Sequence, residues 1–166
     1  DGALGEQMGA TGLSYYQDGN TLYLLGGYGY SESNDQFITF PYITAIDLAS
    51  TIDALQAGES PVASFYQICD ERIAIFDGML DYNGEEFFLL NGKHAYKLRP
   101  FAEDAEYVEE QLKNEARTFK ISSDGEHLQL KDFQNWYDMN DLQDYYGPLL
   151  PERLHRALQP AVEPEQ

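Results

Sequence analysis

Cys69 is the only cysteine among the 166 residues, so no disulfide can form within this chain. It lies in the strand-like run Phe65-Tyr66-Gln67-Ile68-Cys69, where a buried, inert thiol is expected. Cations are scarce as well. Ten Lys and Arg stand against 29 Asp and Glu, a formal net charge of -19. A field of that sign repels duplex DNA and anionic bilayers, which makes nucleic acid and membrane surfaces poor partners. No apolar run approaches the ~18 residues of a membrane span, so no membrane insertion is expected.

The motifs of several chemistries are missing too. There is no D-x-[DN]-x-[DN]-G loop for Ca2+, and no H-E-x-x-H, C-x-x-C or i,i+4 His pair for zinc. The histidines His94, His127 and His155 stand apart, and no metal or cofactor is expected. No G-x-S-x-G elbow accompanies a serine. The glycine-rich Gly26-Gly27-Tyr28-Gly29 opens no apolar helix, so it is not a phosphate cradle. Carboxylate neighbours such as Asp70/Glu71, Glu85/Glu86 and Glu109/Glu110 are expected by chance in so acidic a chain, and no catalytic residue can be singled out. A start at Asp1 with no signal-peptide pattern points to a processed or excised product, and export is the expectation.

What the chain does have is aromatic residues and a repeat. Thirteen Tyr and nine Phe favour pleated, half-buried strand surfaces, and 43% hydrophobic residues suffice for a core. Asp18-Gly19-Asn20-Thr21-Leu22-Tyr23-Leu24-Leu25-Gly26-Gly27 recurs 65 positions later as Asn83-Gly84-Glu85-Glu86-Phe87-Phe88-Leu89-Leu90-Asn91-Gly92. Each copy is a turn, a short apolar strand and a closing glycine, the mark of a repeat architecture.

Residues 1–12, rich in small residues, read as a loop. The first unit, 13–70, carries strands at 13–17, 21–27, 42–48 and 62–69, an aromatic loop at 28–41 and a short helical turn at 49–55 opened by Ser50 or Thr51. The second unit, 71–137, starts at Arg72-Ile73-Ala74-Ile75-Phe76, with 78–84 as a lead-in to the strand Glu86 to Leu90. A long loop at 93–115, with helix formers between Ala102 and Asn114, precedes strands at 116–121 and 127–133. Pairing Ile43 with Thr118 offsets the third strands by 75 and makes the second loop about ten residues longer. Residues 138–166 read as an acidic linker, then the start of a third unit at Leu154 to Leu158 or a disordered tail.

A four-stranded unit whose second strand ends in Gly26-Gly27, with Trp136 late in the second copy, resembles a kelch-type β-propeller blade of the secreted bacterial kind. The resemblance implies an all-β fold, a partial propeller of two blades. An eight-strand β-sandwich or barrel is the alternative that the strand count alone permits. Gly26, Gly27 and Gly92 are expected to allow close backbone approach, and Trp136 to fill the last strand's place. Two blades would leave two open apolar faces, to be covered by further blades or a partner chain. The candidate binding residues are the loop aromatics Tyr28, Tyr30, Phe37, Phe40 and Tyr42, with His94, Tyr96 and Phe101 on the second loop. They suit a protein or glycan ligand. The function expected is a non-enzymatic recognition or assembly module. The alternative is a piece of a kelch-type sugar oxidase or epimerase whose catalytic residues lie elsewhere.

Overall fold

The computed structural model describes residues 2–95, 111–123 and 128–159. Tyr96, Phe101, His127 and the tail from Pro160 lie outside them. The chain is mainly antiparallel β-sheet. After α1 (Ala3–Met8) come β1 (Ser14–Asp18), β2 (Thr21–Leu25), β3 (Tyr28–Ser31), β4 (Gln36–Thr39) and β5 (Tyr42–Asp47), then α2 (Leu48–Gln56) and β6 (Phe65–Cys69). The second unit supplies β7 (Met79–Tyr82), β8 (Phe87–Leu90), β9 (Lys93–His94), β10 (Gln111–Leu112), β11 (Ala116–Ser123) and β12 (Leu128–Trp136). Two four-stranded sheets result, ordered β1-β2-β5-β6 and β7-β8-β11-β12, and each is blade-like. In both, a two-stranded ribbon is inserted between the second and third strands: β3-β4 in the first, β9-β10 in the second.

The Asp-Gly turn works as local chemistry dictates. Asp18 pairs with Thr21, and Gly19 takes φ 53°, a left-handed conformation that costs glycine little. The second copy turns on Asn83, whose side-chain oxygen accepts from the amides of Glu85 (3.0 Å) and Glu86 (2.8 Å).

The repeat runs deeper than its apolar strands. Thr11 bridges Tyr28 just as Phe76 bridges Lys93. The left-handed pair Gly26 (φ 66°) and Gly27 (φ 94°) is matched by Asn91 (φ 52°) and Gly92 (φ 101°). Asparagine tolerates that region, which is why the second copy can dispense with one glycine. The third strands correct the offset of 75: Leu25 faces Ile43 and Leu90 faces Ala116, an offset of 73. The ribbons follow suit, Tyr28 facing Thr39 and Lys93 facing Leu112. The second ribbon is therefore eight residues longer than the first, the difference between offsets of 65 and 73, rather than ten.

The sheets stack head to tail. One face of the first sheet (Leu25, Ile43, Ile68) packs on the opposite face of the second (Leu80, Phe87, Leu89, Phe119, Leu130). The second sheet's remaining face, with Phe88, Leu90, Ala116 and Trp136, is covered by α3 (Met139–Tyr146) and α4 (Glu152–Leu158) through Leu142, Tyr146, Leu150 and Leu154.

Several expectations change here. Residues 1–12 contain a helix. Arg72 to Phe76 is no strand: a 3-10 turn (Glu71–Ile73) leads into a connector whose Ile73 and Ile75 fill the core between the sheets, and the lead-in itself forms β7. The apolar run was misleading because a segment buried on all sides is as apolar as a strand. The aromatic loop is the β3-β4 ribbon. The acidic linker and the expected third-unit strand are α3 and α4, so one of the two apolar faces is closed by this chain's own helices. The turn before β6 is 3-10 over Pro61–Ser64, and Asp47, rather than Ser50 or Thr51, caps α2 by accepting from the Ser50 amide at 2.8 Å. Cys69 is exposed on the edge strand, and partial burial with Glu71 and Asp70 nearby raises its thiol pKa.

Candidate functional site

Both ribbons leave their sheets at the same end, because each follows a second strand and precedes a third. They are joined directly. The Thr39 hydroxyl donates to the Ala95 carbonyl at 2.7 Å and accepts from the Ala95 amide at 2.8 Å, while the Thr39 amide donates to the same carbonyl at 3.0 Å.

The aromatic residues singled out from sequence separate into three groups. Phe40 is fully buried and stacks on Tyr42 at 6.0 Å, so it belongs to the core. Desolvation raises the Tyr42 pKa first, and nearby Cys69 and carboxylates add to it. Tyr28 lies between Phe37 (5.8 Å) and Phe76 (5.2 Å) and ties the ribbon to the second unit. Tyr30 packs edge-on against Phe37 at 5.5 Å, is 43% exposed, and donates from its hydroxyl to Asp35. His94 is half-buried, and its Nδ1 donates to the Ala74 carbonyl at 3.0 Å. The aromatics thus mostly pack on one another and on the ribbon base.

Two clefts open beside the joined ribbons, and His94 and Glu71 line both. One, of about 330 Å3, includes Asn34, Gln36, Tyr42 and Cys69. The other, of about 310 Å3, includes Arg72, Lys113, Arg117 and Asn135. Three of the chain's ten Lys and Arg therefore line one cleft. Arg72 forks onto Asp70 (2.9 and 2.6 Å) and stacks over Phe133 at 4.4 Å. Those hydrogen bonds from Arg72 hold the Asp70 carboxyl below its ordinary range. Arg117 is only 6% exposed, pairs through Nη2 with Glu115, and is lowered in pKa by burial despite that partner.

Sequence reasoning passed over Arg117, Arg72, Lys113 and Asn135, since isolated cations form no motif. A sign was nonetheless available: an arginine inside the apolar strand Ala116 to Ile121, at a position where the other unit holds Thr44.

Among the described residues no group of three or more His, Cys, Asp and Glu side chains is placed to hold a metal ion. No described helix is long and apolar enough to cross a membrane. The glycines singled out all sit at close approaches. A Cβ on Gly27 would meet Ala10 at 2.8 Å, and one on Gly92 would meet the Ile75 side chain at 2.2 Å. Compared with models of protein families and with curated proteins, the chain matches none.

Proposed function

We propose that the chain is a non-enzymatic recognition and assembly segment of an exported, kelch-like propeller protein. It receives a neighbouring blade on the outer face of its first sheet and offers its ribbon end to a protein or glycan ligand. One observation supports this reading above others. Tyr15, Leu22 and Leu24 occupy the positions of Leu80, Phe87 and Leu89, but Tyr15 is 66% exposed where Leu80 is 1% exposed. Apart from the Thr44 end, which Gln7 of α1 covers, the first sheet thus presents the same face with which the second sheet receives its neighbour, without an equivalent cover.

Stacked repeats gain stability from each interface, and a half-filled array lacks one such term. Growth is directional, because α3 and α4 occupy the face through which a sheet beyond the second would stack. The neighbour must therefore present the kind of face carried by Leu25, Ile43 and Ile68.

The test is a tandem chain in which residues 11–75 are duplicated in line, so that a copy of the first unit precedes the original. The junction reproduces the natural passage from Ile75 to Phe76, whose counterpart is Thr11. The expected result is one cooperative unfolding transition at higher temperature than the parent, with a steeper urea dependence in proportion to the added buried area. A duplicated unit that stays unfolded, or that lowers the melting temperature, would overturn the proposal.

A further inference from the structure

We infer that the cleft beside Arg117 binds a small hydroxylated carboxylate, a sugar acid carrying a single negative charge. The two units hold the same position in opposite states. Thr44 faces Leu24 and Gln67 across its sheet, and Arg117 faces Leu89 and Asn135. In the first unit the position is closed. The Thr44 hydroxyl donates to Gln7 Oε1 at 2.6 Å, Gln67 donates to the same oxygen at 3.0 Å, and Gln7 Nε2 donates to the carbonyls of Tyr42 (2.9 Å) and Gly26 (3.2 Å). In the second unit Arg117 Nη1 is buried with no hydrogen-bond partner among the described residues.

A buried guanidinium N–H without an acceptor is costly, so an acceptor from outside the chain is strongly favoured there. Lys113 adds positive charge around the same cleft, and Arg72 lines it while paired with Asp70. The rest of the lining selects among anions. Glu71 lines the cleft, Asp70 pairs with Arg72 and Glu115 with Arg117, so a dianionic phosphate meets three carboxylates and a monocarboxylate is repelled less. Asn135, Gln111 and Glu71 offer donors and acceptors for hydroxyl groups. A space of about 310 Å3 is at the small end of ligand sites, adequate for a single sugar ring. This cleft opens beside the ribbon end and so deepens the ligand-binding part of the proposed function, while it is separate from the stacking face and is tested independently of it.

Calorimetric titration of the full chain at low salt, with glucuronate, glucose and inorganic phosphate as probes, tests the inference. Saturable binding of glucuronate is expected, at least tenfold tighter than glucose or phosphate. Arg117→Thr, which installs the residue of the other unit, should weaken glucuronate at least tenfold while also lowering the melting temperature, because it leaves Glu115 without its partner. In the unmodified chain, the guanidinium 1H–15N resonance of Arg117 should move on addition of glucuronate and stay fixed with glucose. The second measurement holds even if the variant folds poorly. Absence of glucuronate binding, equal binding of glucose, tighter binding of phosphate, or an unmoved Arg117 resonance would each overturn the assignment.

Discussion

A β-carbon on Gly26 would stand 1.7 Å from the carbonyl oxygen of Ile75, the same oxygen that accepts the Gly27 amide at 3.0 Å. Gly26 also sits at φ 66°, so both space and backbone conformation call for glycine. Gly26→Ala should destabilise the chain by about 3 kcal/mol or more, because the obstacle is backbone and cannot swing away. Asn91→Gly, at the equivalent position with φ 52°, should change stability by no more than about 1 kcal/mol. Urea unfolding of the two variants measures the contrast.

The stacking of the sheets makes a second comparison. Leu89 is fully buried against the first sheet, whereas Leu24, its counterpart, is half-buried on the uncovered face. Leu89→Ala should cost about 2–5 kcal/mol, and Leu24→Ala clearly less. Equal losses in urea unfolding would mean that the outer face is as well packed as the inner one.

Tyr146 carries an alkaline prediction. Burial beside Phe88 and Trp136 pushes its phenol up to about 12, Glu86 adds to the rise, and a hydrogen bond with Thr118 opposes it. The folded state therefore holds this proton after the unfolded state has lost its own near pH 10. Its contribution to stability is complete below pH 10 and is lost as pH rises from 10 toward 12. Tyr146→Phe should flatten part of that decline in unfolding measurements between pH 9 and 12. Tyr16, Tyr23 and Tyr42, whose pKa values burial also raises, contribute to the remainder, as do Cys69, raised by partial burial, and Lys120, raised by its hydrogen bond to Glu85.

Much of the fold was legible in the sequence for a local reason. Asp18-Gly19 sets a hairpin by backbone conformation alone, and the match of Leu22 with Phe87 carries the register of two sheets. The ribbons were not legible, since Tyr28 to Thr39 lacks strict alternation and draws its order from Phe76 and Ala95, distant in sequence. The helices after Trp136 were missed because their apolar residues are sparse. Leu142, Tyr146, Leu150 and Leu154 become one surface only once laid against Phe88 and Leu90. Of the candidate binding residues, Tyr30 is exposed and His94 lines two clefts, whereas Phe40 proved to be core. The cationic cleft was not legible because Arg72, Lys113 and Arg117 are gathered from a 3-10 turn, a ribbon edge and a strand.

By itself the sequence determined the repeat, the turns and the glycine-ended strands, since φ preferences and side-chain alternation act between near neighbours. The tertiary structure alone decided what each copy became. Burial depends on what lies across the ~10 Å between stacked sheets, which no local pattern encodes. Hence Leu80 is sealed while Tyr15 is open, Ile73 and Ile75 serve as core rather than strand, and Arg117 keeps a buried donor with no partner among the described residues where Thr44 is satisfied.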